Sequence, residues 1–422
     1  MWLKEKLTTF FDKGVILLSG GTIISQAIVF FTSPILSRIY PPASFGLLSL
    51  FTSVSVVLAC LSTGKYELAI FVPRGDRAAL NIIRGIFILS LTLALVISVP
   101  VILFNPQLAE LLKFGKGYTI VLYFVPFTII QIATLSCLQL WLQRLQLYHF
   151  NSIAVIAQSC ITVLSSVVLS YVNIHLGLIF GYILGQIICV IIIVMLLKRY
   201  SFLKELSLYT STKKTTVQML RYAKYPKFVL PSELLMVIGQ QFLPILYSIL
   251  YSTNIVGFIS FGVRILRVPS IVLASSFWGV YRNDISKRKA DGLEIYSTFT
   301  TTLKKLIILA LLPFTVLALS APLIFELVFG KQWVEAGEYA RMLCLLLFTE
   351  FIAYPLTNTF LVLKKEKAYF VFQFLNISFG ILVIVLGKLL FNNAKISLML
   401  YAVTGSLINI TMIWYASKLA KK

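Results

Sequence analysis

Apolar runs of 20 or more residues, broken by short polar clusters, dominate the chain from end to end. A helix that crosses a bilayer needs about 20 mostly apolar residues. The pattern predicts twelve such helices, at 14–39, 43–64, 81–104, 118–143, 151–172, 176–197, 227–250, 257–281, 303–328, 338–362, 368–390 and 395–417. Ahead of the first, Leu3, Leu7, Phe10 and Phe11 fall at helical spacing with Lys4 and Lys6 nearby. That stretch reads either as a short helix lying on the membrane surface or as an irregular lead-in. The fold class expected is an all-α polytopic membrane protein.

Composition agrees. Only 12% of the 422 residues are charged, against about 25% in soluble proteins. The net charge of +22 would suit nucleic acid if it were spread over one surface, but the charges cluster between spans. Assigning each Lys and Arg to the nearer span end places 28 on the side of the termini and 7 on the other. By the positive-inside rule both termini face the cytoplasm, and no nucleic-acid partner is needed to explain the charge. The cysteines at 60, 137, 160, 189 and 344 all lie in apolar runs without a CxxC pair, which predicts neither disulfides nor a metal site. His149 and His175 read as solvated turn residues. No Gly-rich phosphate loop occurs, no cofactor is implied, and no signal-peptide cleavage pattern follows a short apolar core.

An internal repeat divides the chain. The stretch YPPASFG (Tyr40 to Gly46) recurs as YSTNIVG (Tyr251 to Gly257), offset by 211 residues, and Gly185 corresponds to Gly405 at an offset of 220. Each motif follows a span that carries a proline, Pro34 in the first and Pro244 in the seventh. Six spans per half give both halves the same orientation, hence a parallel repeat about an axis along the membrane normal. The expected organisation is a bundle at 1–197, a long basic cytoplasmic loop at 198–226 and a second bundle at 227–422. Proline in equivalent spans points to a transport site, although Pro126, Pro313 and Pro355 also read as mid-span. Gly177, Gly181 and Gly185 form GxxxGxxxG, a tight helix-packing face.

Four charges fall deep within spans: Glu233, Arg264, Arg267 and Glu350. Each costs at least about 2.5–3.5 kcal/mol near the bilayer centre and normally faces a bundle interior or a watery cavity. Arg264 and Arg267, at i and i+3, share a helix face just before Pro269. Two guanidinium groups side by side suit a phosphate or diphosphate; the alternative is ion pairing with Glu233 or Glu350. Glu350, at mid-span, is the better proton-binding candidate because desolvation raises a carboxyl pKa. Glu233, shallower and behind Pro231, caps or pairs.

At these residues the chain resembles a known family. SRIYPPASFGLLSL (37–50), GKYELAIFVP (64–73) and RILRVPSIVLASSFWGVYRNDIS (264–286) are similar to the oligosaccharide-flippase (Wzx-type) branch of the multidrug/oligosaccharidyl-lipid/polysaccharide exporter superfamily. The resemblance covers the full length in span number and spacing. It implies two six-helix bundles around a central cavity and a polyprenyl-diphosphate-linked oligosaccharide, of the O-antigen or another surface polysaccharide, moved between leaflets of the inner membrane by alternating access. Lipid II flippases of the same superfamily usually carry two extra spans, absent here. The resemblance carries roles only onto its matched motif residues: Arg264, Arg267, Arg38 and Lys65 as substrate-binding, with Tyr66 and Glu67 as further motif residues. Glu350 and Glu233, from their place within spans, are the ion-coupling candidates, with the proton as coupling ion, and Pro34 and Pro244 are the prolines of the repeat. The bilayer and the polysaccharide polymerase machinery are the other partners implied.

Two other readings compete. A cation-coupled multidrug exporter would prefer an acidic cavity, whereas the paired charges here are arginines. A polytopic glycan polymerase or ligase needs catalytic groups in sizeable outer loops; the longest, 105–117, offers only Glu110 as an acid. A non-enzymatic transporter is therefore expected.

Overall fold

The computed structural model describes residues 13–115, 117–172, 175–198 and 202–421; the expected N-terminal surface helix lies outside them. The described residues are helical, joined by short turns. The chain separates into two compact units, Met1–Ile249 and Leu250–Lys422.

In the first unit α1 (Lys13–Ile39), α2 (Pro42–Thr63), α3 (Asp76–Leu103), α5 (Val125–Arg144), α6 (Tyr148–Ser170), α7 (Gly177–Lys198) and α10 (Leu230–Leu250) are the long helices. Three short ones, α4 (Asn105–Leu111), α8 (Phe202–Tyr209) and α9 (Thr212–Arg221), lie between them. The second unit holds α11 (Thr253–Ala290), α12 (Tyr296–Phe329), α13 (Val334–Leu356), the short α14 (Asn358–Val362), α15 (Glu366–Phe391) and α16 (Ala394–Ala420). Among the described residues eleven helices are long and apolar enough to cross a membrane. The remaining expected span, 257–281, lies within α11, whose 38 residues reach about 57 Å at 1.5 Å per residue. The protein is an all-α, multi-pass membrane protein.

Local chemistry sets the helix ends. Pro41 and Pro42 open α2, and Gly64 closes it in the left-handed conformation (φ 57°), which glycine adopts without steric cost. Ser252 caps α11 by accepting from the Ile255 amide, and Asn393 caps α16 by accepting from Lys395 and Ile396; each satisfies amides that a helix start leaves open.

The structure corrects several expectations. The stretch 198–226, expected as a loop, contains two short helices: α8 and α9 fold from it and pack on α3, and Phe202 and Tyr222 are buried in the core of the unit. Half of the outer loop 105–117 is the helix α4, started by Pro106. Pro126 stands at the start of α5 rather than inside it, where its missing amide costs nothing. His149 is the second residue of α6, its ring tilted against that of Phe150 with centroids 4.0 Å apart; His175 does lie in a turn.

The repeat appears as packing within each unit. In the first unit α2, α3 and α7 pack on α5, and α6 packs on α7; in the second α11, α12 and α16 pack on α13, and α15 packs on α16. These are equivalent pairs in the two halves. The repeated tyrosines dock equivalently as well. Tyr40, fully buried, donates its hydroxyl to the Ser166 carbonyl at 2.5 Å and lies against Gly177. Tyr251 hydrogen-bonds Ser397, again at 2.5 Å. Gly177 and Ser397 are 220 residues apart, the same offset as Gly185 and Gly405. The glycine face of α7 packs as expected: a Cβ at Gly181 would strike the Ser166 hydroxyl, and one at Gly185 would strike Thr162 and lie 3.0 Å from the Gln158 carbonyl.

Candidate functional site

The second unit carries its charges in mid-helix. On α11 the buried Ile259, Leu266 and Ala274 fall on one face, and the helix packs against α13. Phe261, buried on another face, sets its ring 4.0 Å from that of Trp333 and 4.9 Å from that of Phe329. Arg267 follows Leu266 around the helix and reaches Glu350 of α13. Its Nη2 donates to both carboxylate oxygens, at 3.1 and 2.9 Å. The pair is open: the Arg267 side chain is 37% exposed and that of Glu350 32%. Tyr401 of α16 stands within electrostatic range of both. Arg264 lies about 160° around the helix from Leu266, at ~100° per residue, and is exposed. It makes no hydrogen bond or ion pair among the described residues. The trio thus carries one net positive charge, with one arginine held by a carboxylate and the other presented outward.

The first unit carries its charges at a helix end. Gly64 and Lys65, both at φ 57°, turn the chain sharply after α2, and a short, tighter helix follows at Tyr66–Phe71. This turn places the Lys65 ammonium 3.5 Å from Glu67 and 3.5 Å from Glu233 of α10. Glu67 is only 6% exposed, and its Oε2 is buried without a hydrogen-bond partner. Burial alone lowers the Lys65 pKa; the neighbouring Glu67, and to a smaller degree Glu233, outweigh it, so the ammonium is held above the ordinary lysine value. Tyr66 is buried beside the turn, its hydroxyl donating to the Met219 carbonyl at 2.9 Å. This cluster is a pinned joint with little access for a ligand.

Of the residues singled out by sequence, the structure therefore brings together Arg267 with Glu350, and Lys65 with Glu67 and Glu233. Arg38 stands exposed in the last turn of α1. Pro34 and Pro244 lie inside α1 and α10 as expected. Sequence reasoning missed Tyr401, which carries no charge to mark it, and the Ser53 hydroxyl that donates to Gln241 at 2.9 Å.

The polysaccharide biosynthesis protein family matches residues 35–338, nearly three quarters of the chain, a stretch that includes the repeated motifs, the Lys65 turn and both arginines. The chain belongs to this family. Among curated protein sequences none matches it. Solved structures show the same fold. A multidrug resistance MATE family transporter of the MOP superfamily, inward-facing, superposes with a TM-score of 0.67 at 17% identity, covering 96% of this chain and 99% of that one. The lipid II flippase MurJ, in an inward closed conformation, gives 0.71 at 15% identity, covering 96% and 87%. A MOP superfamily transporter from Pyrococcus furiosus, with a binding pocket of reverse polarity, gives 0.59 at 14% identity, covering 97% of this chain and 96% of that one. The fold and family agree with the resemblance read from the motifs, at the level of a polysaccharide-biosynthesis membrane protein with the fold of this transporter superfamily.

Proposed function

We propose that this protein is a flippase that moves a polyprenyl-diphosphate-linked oligosaccharide from the inner to the outer leaflet of the cytoplasmic membrane, with both termini in the cytoplasm. The observation that carries this reading is Arg264, exposed on a membrane-spanning helix beside an Arg267–Glu350 pair that is itself one third open. A cation in a spanning helix normally faces protein or water, and an uncompensated guanidinium there is a site for an anion. A diphosphate is such an anion, and family membership makes a sugar carrier the natural donor of it. The multidrug reading calls for acidic groups facing a cationic drug; here the outward charge is basic.

Glu350 supplies the coupling. While ionised it holds Arg267. A proton on Glu350 removes the charge that holds it and frees the guanidinium, so that both arginines face the diphosphate and bind it bidentately. Deprotonation returns Arg267 to Glu350 and weakens the hold. The membrane potential adds a drive, because an inside-negative potential pushes the anion outward. Two negative charges gain up to about 4.6 kcal/mol per 100 mV. Arginine stays protonated at any working pH, so the cations remain on the helix while net charge crosses.

The test is flipping of a lipid-linked oligosaccharide in proteoliposomes with an imposed potassium diffusion potential. Arg264→Gln with Arg267→Gln should slow flipping about a hundredfold, since hydrogen bonds to charged groups contribute about 1.5–3 kcal/mol each. The double Lys variant should retain part of the activity, as point charge survives without the fork. Glu350→Gln should lose the pH dependence while the amount of folded protein stays nearly unchanged. Wild-type flipping by the double Gln variant would remove the arginines from the mechanism, and indifference to the potential would remove the electrical drive.

A further inference from the structure

The family and the proposed transport cycle leave α8 and α9 unexplained. These helices fold back on the start of α3, and one buried side chain holds both. Asn81 donates to the Tyr209 carbonyl and accepts from the Ser211 amide and the Thr215 hydroxyl, each at 3.3 Å. Arg84 donates to the Thr210 hydroxyl at 3.2 Å. Met219 fills the space over Gly85, where a Cβ would lie 2.9 Å from its Cγ. The hold is specific, and it leaves a cavity of about 380 Å³ lined by Arg77, Asn81, Tyr209, Lys213, Lys214 and Val217.

Three features of this cavity point to one kind of occupant. Its charged lining is all cationic: Arg77, Lys213 and Lys214. The acid beside Arg77 in sequence, Asp76, is committed elsewhere, paired with Arg144 at 2.9 Å. The guanidinium of Arg77 is laid over the Tyr209 ring at 4.2 Å, which fixes one cation in place. Lys213, Val217 and Leu220 fall at i, i+4 and i+7, one face of α9, and on that face Val217 is 60% and Leu220 71% exposed. Leu208 at the end of α8 is exposed as well. A helix with apolar side chains turned outward and lysines beside them is built to lie in a membrane interface, its apolar groups at the acyl boundary and its lysines among phosphates. Finally, the cavity lies at the end of a spanning helix, the level at which headgroups lie.

We infer that the cavity between α9 and the start of α3 is a binding site for the phosphate headgroup of an anionic glycerophospholipid, with Val217 and Leu220 seated against its acyl chains. Arg77, Lys213 and Lys214 neutralise the phosphodiester, and Asn81, which holds the two helices on α3, also lines the site. The bound lipid would pin the linker helices to the bilayer surface. The leaflet, the inner one, follows from the topology proposed above; the binding itself does not depend on it.

The experiment uses the full-length protein in nanodiscs of zwitterionic phosphatidylcholine, titrated with fluorescent phosphatidylglycerol. Saturable binding is expected for the wild type. The variant Arg77→Gln, Lys213→Gln, Lys214→Gln should bind about a hundredfold more weakly, from the contribution of three basic residues at an anionic surface. A charge-matched control, Lys364→Gln, Lys365→Gln, Lys367→Gln, removes three exposed lysines at another turn and should bind as the wild type does. If the triple variant fails to fold, a photoactivatable phosphatidylglycerol on the wild type gives the second readout, and cross-links should map to α9 and the start of α3. Equal loss in the control would overturn the site as non-specific charge. Saturation by millimolar inorganic phosphate would overturn the lipid, and tighter binding of a polyprenyl diphosphate would make the cavity a substrate site instead. Failure of the flipping assay with normal phosphatidylglycerol binding would count against the transport reading alone.

Discussion

The second span of each sequence repeat opens with the same Tyr-to-Gly spacing, yet α2 and α11 have become different objects. α2 has 22 residues and stops at Gly64 and Lys65, whereas α11 runs through the corresponding positions for 38. At the offset of 211 residues, Arg264 and Arg267 correspond to Ser53 and Val56. Ser53 is buried and bonded to Gln241; Arg264 is exposed and Arg267 is shared with Glu350. One unit keeps its charges at the helix end, where one lysine is shared between the buried Glu67 and the more open Glu233. The other carries them in mid-helix, open on one side. The two halves have therefore kept a common packing scheme while their charges came to stand in different places, at a helix end in one and in mid-helix in the other.

That contrast can be broken by removing one cation from each cluster. Lys65→Met leaves the buried Glu67 carboxylate without its counter-charge and should lower stability by about 3 kcal/mol, the lower end for breaking a buried pair. Lys65→Met combined with Glu67→Gln should recover part of it. Arg267→Met, in a pair one third open, should cost about 1 kcal/mol while impairing flipping. Denaturant unfolding in mixed micelles measures both, and a larger stability cost at Arg267 would reverse the assignment of roles. The Lys65 ammonium is held above its unfolded value, so its contribution is fully present below the ordinary lysine pKa of 10.5 and is lost only as pH rises through the folded value. The Lys65→Met penalty should therefore be constant across neutral pH.

The equivalent glycines sharpen the comparison at smaller scale. A Cβ at Gly185 meets the Gln158 backbone as well as the Thr162 side chain; at Gly405 the nearest atom is the flexible end of Leu346, at 2.7 Å. Gly185→Ala should cost about 2 kcal/mol by overpacking and Gly405→Ala less than about 1 kcal/mol, because a side-chain end can move and backbone cannot. Equal costs would mean that the two packing faces are equivalent after all. The smallest effect is expected at the repeated tyrosines. Tyr40→Phe strips a buried carbonyl of its donor and should cost about 1.5 kcal/mol. Tyr251→Phe, in a half-buried turn, should cost about 0.5 kcal/mol.

Much of this arrangement was legible beforehand, for different reasons at different places. The spans follow hydropathy because a backbone in hydrocarbon must satisfy its own hydrogen bonds, which makes an apolar run of the right length a helix. The α7 glycine face was readable because only glycine allows such close approach. The extension of α11 beyond residue 281 was not: RNDISKRKA carries no apolar period, and such residues continue a helix without announcing it. α8 and α9 escaped for a related reason. Phe202 and Tyr222 become buried only against the rest of the unit, and no local pattern of ten residues signals a surface supplied by a distant segment.

By itself the sequence determined an all-helical, multi-pass membrane protein, the repeated motif and the presence of unusual charges in mid-span, because each rests on local composition measured against a solvent of fixed thickness. Which charges meet was a matter for the tertiary structure. Lys65 reaches Glu233 across 168 positions of sequence, Arg267 reaches Glu350 across 83, and Arg264 is turned outward by the angle that separates it from the packed face of its own helix. Electrostatic energy falls with distance through space, and distance through space is what a linear order of residues leaves open until the helices pack.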